Sequence, residues 1–98
     1  MSTSYNLEIK DEAKLDIREA YDWYEEQLAD LGKTFEKSLN KAIRSILKTP
    51  TGYKHITDSQ RQIPLKKFPF VIIYEVFDNT IVVFAVFHTS QNPEKKPS

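Results

Sequence analysis

The sequence predicts an α+β domain: a helical hairpin packed on a small, mainly antiparallel four-stranded sheet, in the order β-α-α-β-β-β. Three observations carry that reading. Two apolar runs, Phe68–Val76 and Ile81–Phe87, flank Asp78-Asn79. Both are rich in β-branched and aromatic residues, which suit a pleated surface, and Asp-Asn accepts the positive φ of a tight hairpin turn. Upstream, two successive segments carry apolar residues at spacings of three and four, the signature of amphipathic helices. The chain opens on Tyr5–Lys10, which alternates apolar and polar with period two and reads as a short strand.

Taken in order, the elements follow from local chemistry. Asp11 is a good N-cap type, and Glu12 in the first turn suits the helix dipole. Ala13, Ile17, Ala20, Tyr21, Tyr24, Leu28 and Leu31 form the first helical stripe, and Gly32 reads as its C-terminal stop. A second helix is expected from about Lys33 or Thr34, with Phe35, Leu39, Ala42, Ile43 and Ile46 as its stripe. Pro50 ends it, because the residue before proline disfavours helical ψ. So short a break implies an antiparallel helix pair. The polar stretch 51–60 reads as a loop. Arg61–Leu65 reads as a strand, with Pro64 and Pro69 expected at an edge or a strand start. Where the first strand joins the sheet does not follow from the pattern. The tail 94–98 reads as frayed.

The 98 residues are read as one domain, 1–98. Such a chain buries ~65% of its unfolded surface, enough for one modest core. It has no cysteine, hence no disulfide, thiol nucleophile or thiolate zinc site. It shows no apolar signal segment and no run near the ~20 residues of a membrane span, so a cytoplasmic protein is the expectation. The net charge is zero, which argues against dependence on bulk nucleic-acid electrostatics. The balance hides an uneven distribution. Residues 11–30 carry eight acidic residues and two basic ones, whereas residues 33–48 carry five basic and one acidic. Adjacent helices of opposite charge favour pairing, although each exposed pair contributes only ~0–1 kcal/mol.

Several stretches in fixed order resemble the RelE/ParE toxin superfamily, and within it the ParE-like branch. They are YNLEI at the start, A-x-x-D-I-x-E-A-x-x-W-Y-E over Ala13–Glu25, LG with Phe35, I-x-x-x-P ending at Pro50, R-x-I-x-L-x-x-F-P-F-x-I-x-Y over Arg61–Tyr74, and V-x-H at His88 with Asn92-Pro93. No single piece is specific; their order and spacing together are. The resemblance implies a toxin of a type II toxin–antitoxin pair, neutralised by a cognate antitoxin, and leaves room for a homodimer. For the ParE-like branch it implies a poison that binds DNA gyrase. For the RelE-like branch it implies metal-free cleavage of messenger RNA on the ribosome. Two departures stand out. Gln91 occupies the place just after the His-x-Ser step where ParE-like sequences commonly carry arginine, and the tail lacks an aromatic residue. These departures and the neutral charge also fit a degenerate toxin that only binds its antitoxin.

A metal-free ribonuclease needs cations for the phosphorane and a positioned group to move protons. The candidate catalytic set for that activity is Arg61, Lys66, Lys67 and His88. Arg61 could hold a phosphate bidentately, and His88 could transfer a proton. Each has a plainer reading: an edge-strand charge for Arg61, a solvated turn for Lys66-Lys67, a hydrogen-bonded strand end for His88. The candidate partner-binding residues are Trp23, Tyr24 and Tyr74. Trp23 lies just off the first stripe, where it either covers the helix seam or anchors a partner. Tyr74 is either a base-stacking platform or a core residue with a satisfied hydroxyl. The acidic residues of the first helix read as a solvated face. No cofactor and no metal are expected.

Overall fold

A computed structural model describes residues 5–89. Its chain runs β1 (Asn6–Ile9), α1 (Asp11–Gln27), α2 (Leu31–Lys48), β2 (Lys54–His55), β3 (Gln60–Pro64), β4 (Phe70–Phe77) and β5 (Thr80–His88). The sheet has five strands in the order β1-β5-β4-β3-β2. All neighbours are antiparallel except β1, which lies parallel to β5 at one edge. The expected α+β architecture is present, with one strand more than the four expected. The additional strand is β2, a two-residue pairing of Lys54 with Gln62 and His55 with Arg61, inside the stretch read as a loop.

The β4–β5 hairpin is the centre. Asp78 takes φ 52°, and Phe77 pairs directly with Thr80 across a two-residue loop. The register slips between Ile73, paired with Ala85, and Tyr74, paired with Val83, so Phe84 is an extra residue on β5. Such a bulge bends the strand and ends regular pairing on its outer side. There β1 gives out, its last link being the Lys10 N–H to the Val83 carbonyl at 3.0 Å. Beyond it α1 takes over: the Asp16 carboxylate accepts the Val86 N–H at 3.0 Å.

The helical hairpin differs in detail from the expectation. Asp11 is the first helical residue rather than the cap, and Lys10 holds the cap position in extended backbone. The break falls at residues 28–30, and Asp30, not Gly32, takes the left-handed conformation, at φ 70°. Gly32 lies inside the first turn of α2. A Cβ there would stand 2.7 Å from the Glu25 Cγ and 2.8 Å from the Tyr21 carbonyl, so its role is close approach of the two helices. Leu28 belongs to no stripe and is exposed.

The core joins α1, α2 and one face of the sheet. Tyr24, Phe35, Phe68 and Phe70 meet with ring centroids 5.0–6.2 Å apart, mostly edge to face. That arrangement suits the aromatic quadrupole. Ile46, Ile72, Ile81, Val83 and Val86 complete the buried layer. Among the described residues no helix is long and apolar enough to cross a membrane.

Candidate functional site

Two places concentrate the chemistry. The first is a groove of about 300 Å³ between α1 and β5. Buried Ala20, Phe70 and Val86 form its floor. Trp23, Tyr24, Phe87 and His88 line its sides, and Asp16 and Glu19 complete the lining. Asp16, Glu19 and Trp23 share this side because helical residues three and four apart are neighbours. Trp23 is 56% exposed and stands edge-on to Tyr24 at 5.1 Å. Tyr24 itself is largely buried, and burial raises its phenol pKa. An exposed tryptophan beside an apolar groove is the usual form of an anchor for a protein partner. The acidic residues Asp16 and Glu19 were legible on this face only through that spacing, and a reading of α1's acids as a solvated face overlooks them.

The second place is the far end of β3. Arg61 lies opposite His55 on one side and Tyr74 on the other. One guanidinium nitrogen donates to the Tyr53 carbonyl at 2.7 Å and to the Thr51 carbonyl at 3.0 Å. Arg61 thus ties the loop after α2 to the sheet. Tyr74 is fully buried beside it and donates its hydroxyl to the Pro50 carbonyl at 2.7 Å. Burial pushes the Tyr74 phenol up to about 12, partly opposed by the Arg61 charge. In this position Tyr74 is a core residue and offers no surface to a base or a partner.

Lys66 and Lys67 sit in the β3–β4 turn, both exposed. The Ser38 hydroxyl of α2 donates to the Lys66 carbonyl at 2.7 Å, and Lys67 takes φ 72°. The Thr89 N–H reaches the Pro69 carbonyl at 2.7 Å, which draws the end of β5 to the same turn. His88 pairs with Phe70 and stacks edge-on against its ring at 5.0 Å. The fold therefore brings Lys66, Lys67 and His88 to one end of the sheet. Arg61 is registered four residues further along β4, about 13 Å in the strand direction at ~3.3 Å per residue. The position of Gln91 lies outside the described residues, as does the tail 94–98. Among the described residues no group of three or more His, Cys, Asp or Glu is placed to hold a metal ion.

Comparison with known proteins agrees with this architecture. A chain of the chromosomal ParDE TA system from P. aeruginosa superposes with a TM-score of 0.79 at 15% identity, over 91% of this chain and 100% of that one. The isolated E. coli RelE toxin gives 0.67 at 19% identity, over 93% of this chain and 90% of that one. A chain of the intact E. coli RelBE toxin-antitoxin complex also gives 0.67 at 19%, over 91% and 100%. At these identities the likeness is one of fold. No curated protein matches the chain in sequence. The family described as the ParE toxin of the type II toxin-antitoxin system, parDE, matches residues 7–93. That match runs from within β1 to Pro93, and the chain belongs to the ParE toxin family.

Proposed function

We propose that this toxin is held by a cognate antitoxin in the cytoplasm and acts by binding DNA gyrase, not by cutting RNA. The observation that supports a binding mode is the separation of Arg61 from the rest of the candidate catalytic set. Arg61 stands about 13 Å along the sheet from His88, and its guanidinium is engaged by two backbone carbonyls. A phosphorane needs its cation and its proton-transfer group within hydrogen-bond reach of the same reacting centre. The α1–β5 groove, with exposed Trp23, supplies instead the features of a protein-docking surface. The solved ParDE and RelBE assemblies that share the fold support an antitoxin as one protein partner.

A ribosome-dependent endoribonuclease is the second reading, and the convergence of Lys66, Lys67 and His88 at one end of the sheet favours it. One experiment separates the two. The protein is induced without its antitoxin, and messenger RNA on translating ribosomes is mapped for codon-positioned cuts. In parallel, purified protein is added to gyrase, and supercoiling and trapped cleaved DNA are measured. Inhibition of gyrase without ribosomal cuts is expected. Ribosomal cleavage that disappears in Lys66→Ala/Lys67→Ala and in His88→Ala would replace the binding reading with the enzymatic one. Silence in both assays, with normal growth, would leave a degenerate toxin that only binds its antitoxin.

A further inference from the structure

We infer that the outer face of α2 is a docking surface for the phosphate backbone of duplex DNA. The zero net charge conceals it. Lys33, Lys37, Lys41, Arg44 and Lys48 recur at spacings of four, four, three and four, and all are exposed. At ~100° per residue they fall within an arc of about 80°, and the row is about 22 Å long. The buried residues Phe35, Leu39, Ala42, Ile43 and Ile46 occupy the opposite side of the same helix. The row is therefore the outermost ridge of the molecule on this side.

Three observations point to a nucleic acid rather than to solvent or an acidic protein. Among the described residues, Lys37, Lys41, Arg44 and Lys48 have no carboxylate within ion-pair distance; Lys33 alone has one, Asp30 at 3.6 Å. On the flank toward β3 a groove sets Lys66 across from Lys41, which adds a further cation beside the row. Lysine and arginine side chains are the usual donors to phosphate oxygens. Finally, none of the large exposed apolar residues (Leu7, Leu15, Trp23, Leu28, Ile56 and Phe77) lies on α2 or in the turn carrying Lys66. A protein interface centres on an apolar or aromatic anchor, and single strands need stacking platforms; a duplex backbone needs neither.

The flanks also orient the ligand. Glu36 lies on the α1 side, in a cleft where it and Asp22 offset Lys14 and Arg18, so this flank offers a phosphate no net positive charge. The duplex therefore lies toward β3 and Lys66. B-form DNA opens a major groove about 12 Å wide, comparable to a helix with its side chains. The A-form major groove is too narrow to receive one.

The test is fluorescence anisotropy of the purified full chain with a labelled, random-sequence DNA duplex, titrated from 50 to 200 mM salt. Expected is sequence-independent binding, with a dissociation constant of about 10⁻⁴–10⁻⁶ M near physiological salt. The triple variant Lys37→Gln/Lys41→Gln/Arg44→Gln should bind at least about tenfold more weakly at 50 mM salt, and the salt slope should fall by roughly one for each cation removed. Lys37→Arg/Lys41→Arg should bind as the parent does, as should Lys14→Gln/Arg18→Gln on α1. Absence of binding at 50 mM salt, or undiminished binding by the triple variant, overturns the inference. So does tighter binding of an RNA duplex or of a poly-glutamate peptide than of DNA. Gyrase inhibition is a separate readout, so loss of DNA binding and loss of toxicity can be told apart.

Discussion

The Glu25 carboxylate of α1 accepts the Gly32 N–H of α2 at 2.7 Å. The same carboxylate reaches the N–H groups of Asp30 and Lys33, each at 3.3 Å. The first N–H groups of a helix have no partner inside it. The nominal cap, Asp30, makes no side-chain capping bond. Glu25 therefore caps α2 from the neighbouring helix, and a glycine at 32 is what lets its side chain through.

Glu25→Ala should lower stability by about 0.5–2 kcal/mol, the usual cost of a lost N-cap. Gly32→Ala should cost about 1–3 kcal/mol through overpacking against the Glu25 Cγ. Glu26→Ala, on an exposed residue one step along, should change little. Thermal melting of the three variants checks this. Equal melting points for Glu25→Ala and Glu26→Ala would show that the cap is dispensable.

Tyr74 predicts an alkaline limit. Its folded pKa of about 12 lies above the ordinary phenol value of 10.0, because burial disfavours the phenolate. The unfolded chain therefore ionises first as pH rises. The contribution of the neutral Tyr74 is complete below pH ~10 and is lost progressively between pH ~10 and ~12. Tyr24, also raised by burial, adds in the same direction. Tyr74→Phe should flatten this part of the pH–stability curve. It should also cost about 1–3 kcal/mol at neutral pH, since it strips the Pro50 carbonyl of its buried partner. Denaturant unfolding at pH 7, 9.5 and 11 measures both effects.

The leucines expected in the helix stripes divide into buried and exposed ones. Leu39 is 3% exposed, whereas Leu28 is 64% exposed. Leu39→Ala should cost about 2–5 kcal/mol, and Ile17→Ala, at the edge of the core, less. Leu28→Ala should stay within about 0.5 kcal/mol. A large loss at Leu28 would mean that another chain covers it in solution.

These cases show what the pattern of residues reveals and what it hides. The β4–β5 hairpin was legible because β-branched runs bracket Asp78, a residue that tolerates positive φ. The second stripe was legible from its spacings of three and four, and Phe35, Leu39 and Ile46 are all buried. The helix break was misplaced because glycine is ambiguous: it marks left-handed turns and close approaches alike, and here Asp30 takes the turn. β2 was invisible because a two-residue exposed strand has no periodicity. The separation of Arg61 from the other candidate residues was hidden for a different reason. Arg61 and His88 lie on strands either side of β4, and only the register shows that they meet it four residues apart. Tyr74 read as ambiguous because a strand apolar on both sides does not reveal which residue reaches a carbonyl 24 positions away.

Two large apolar residues of α1 stand exposed at similar levels, Leu15 at 62% and Trp23 at 56%. Only Trp23 lines the groove, beside Phe87 and Glu19. A buried aromatic anchor commonly contributes about 2 kcal/mol or more to an interface, which is roughly thirtyfold in affinity. Trp23→Ala should therefore weaken antitoxin binding by at least about that factor, chiefly through faster dissociation. Leu15→Ala should leave it near the parent value. Both variants should melt close to the parent, since neither side chain belongs to the core. Calorimetric titration of each toxin variant with its co-expressed antitoxin measures the difference. If Leu15→Ala weakens binding and Trp23→Ala does not, the antitoxin docks on the outer face of α1 and the groove serves another ligand.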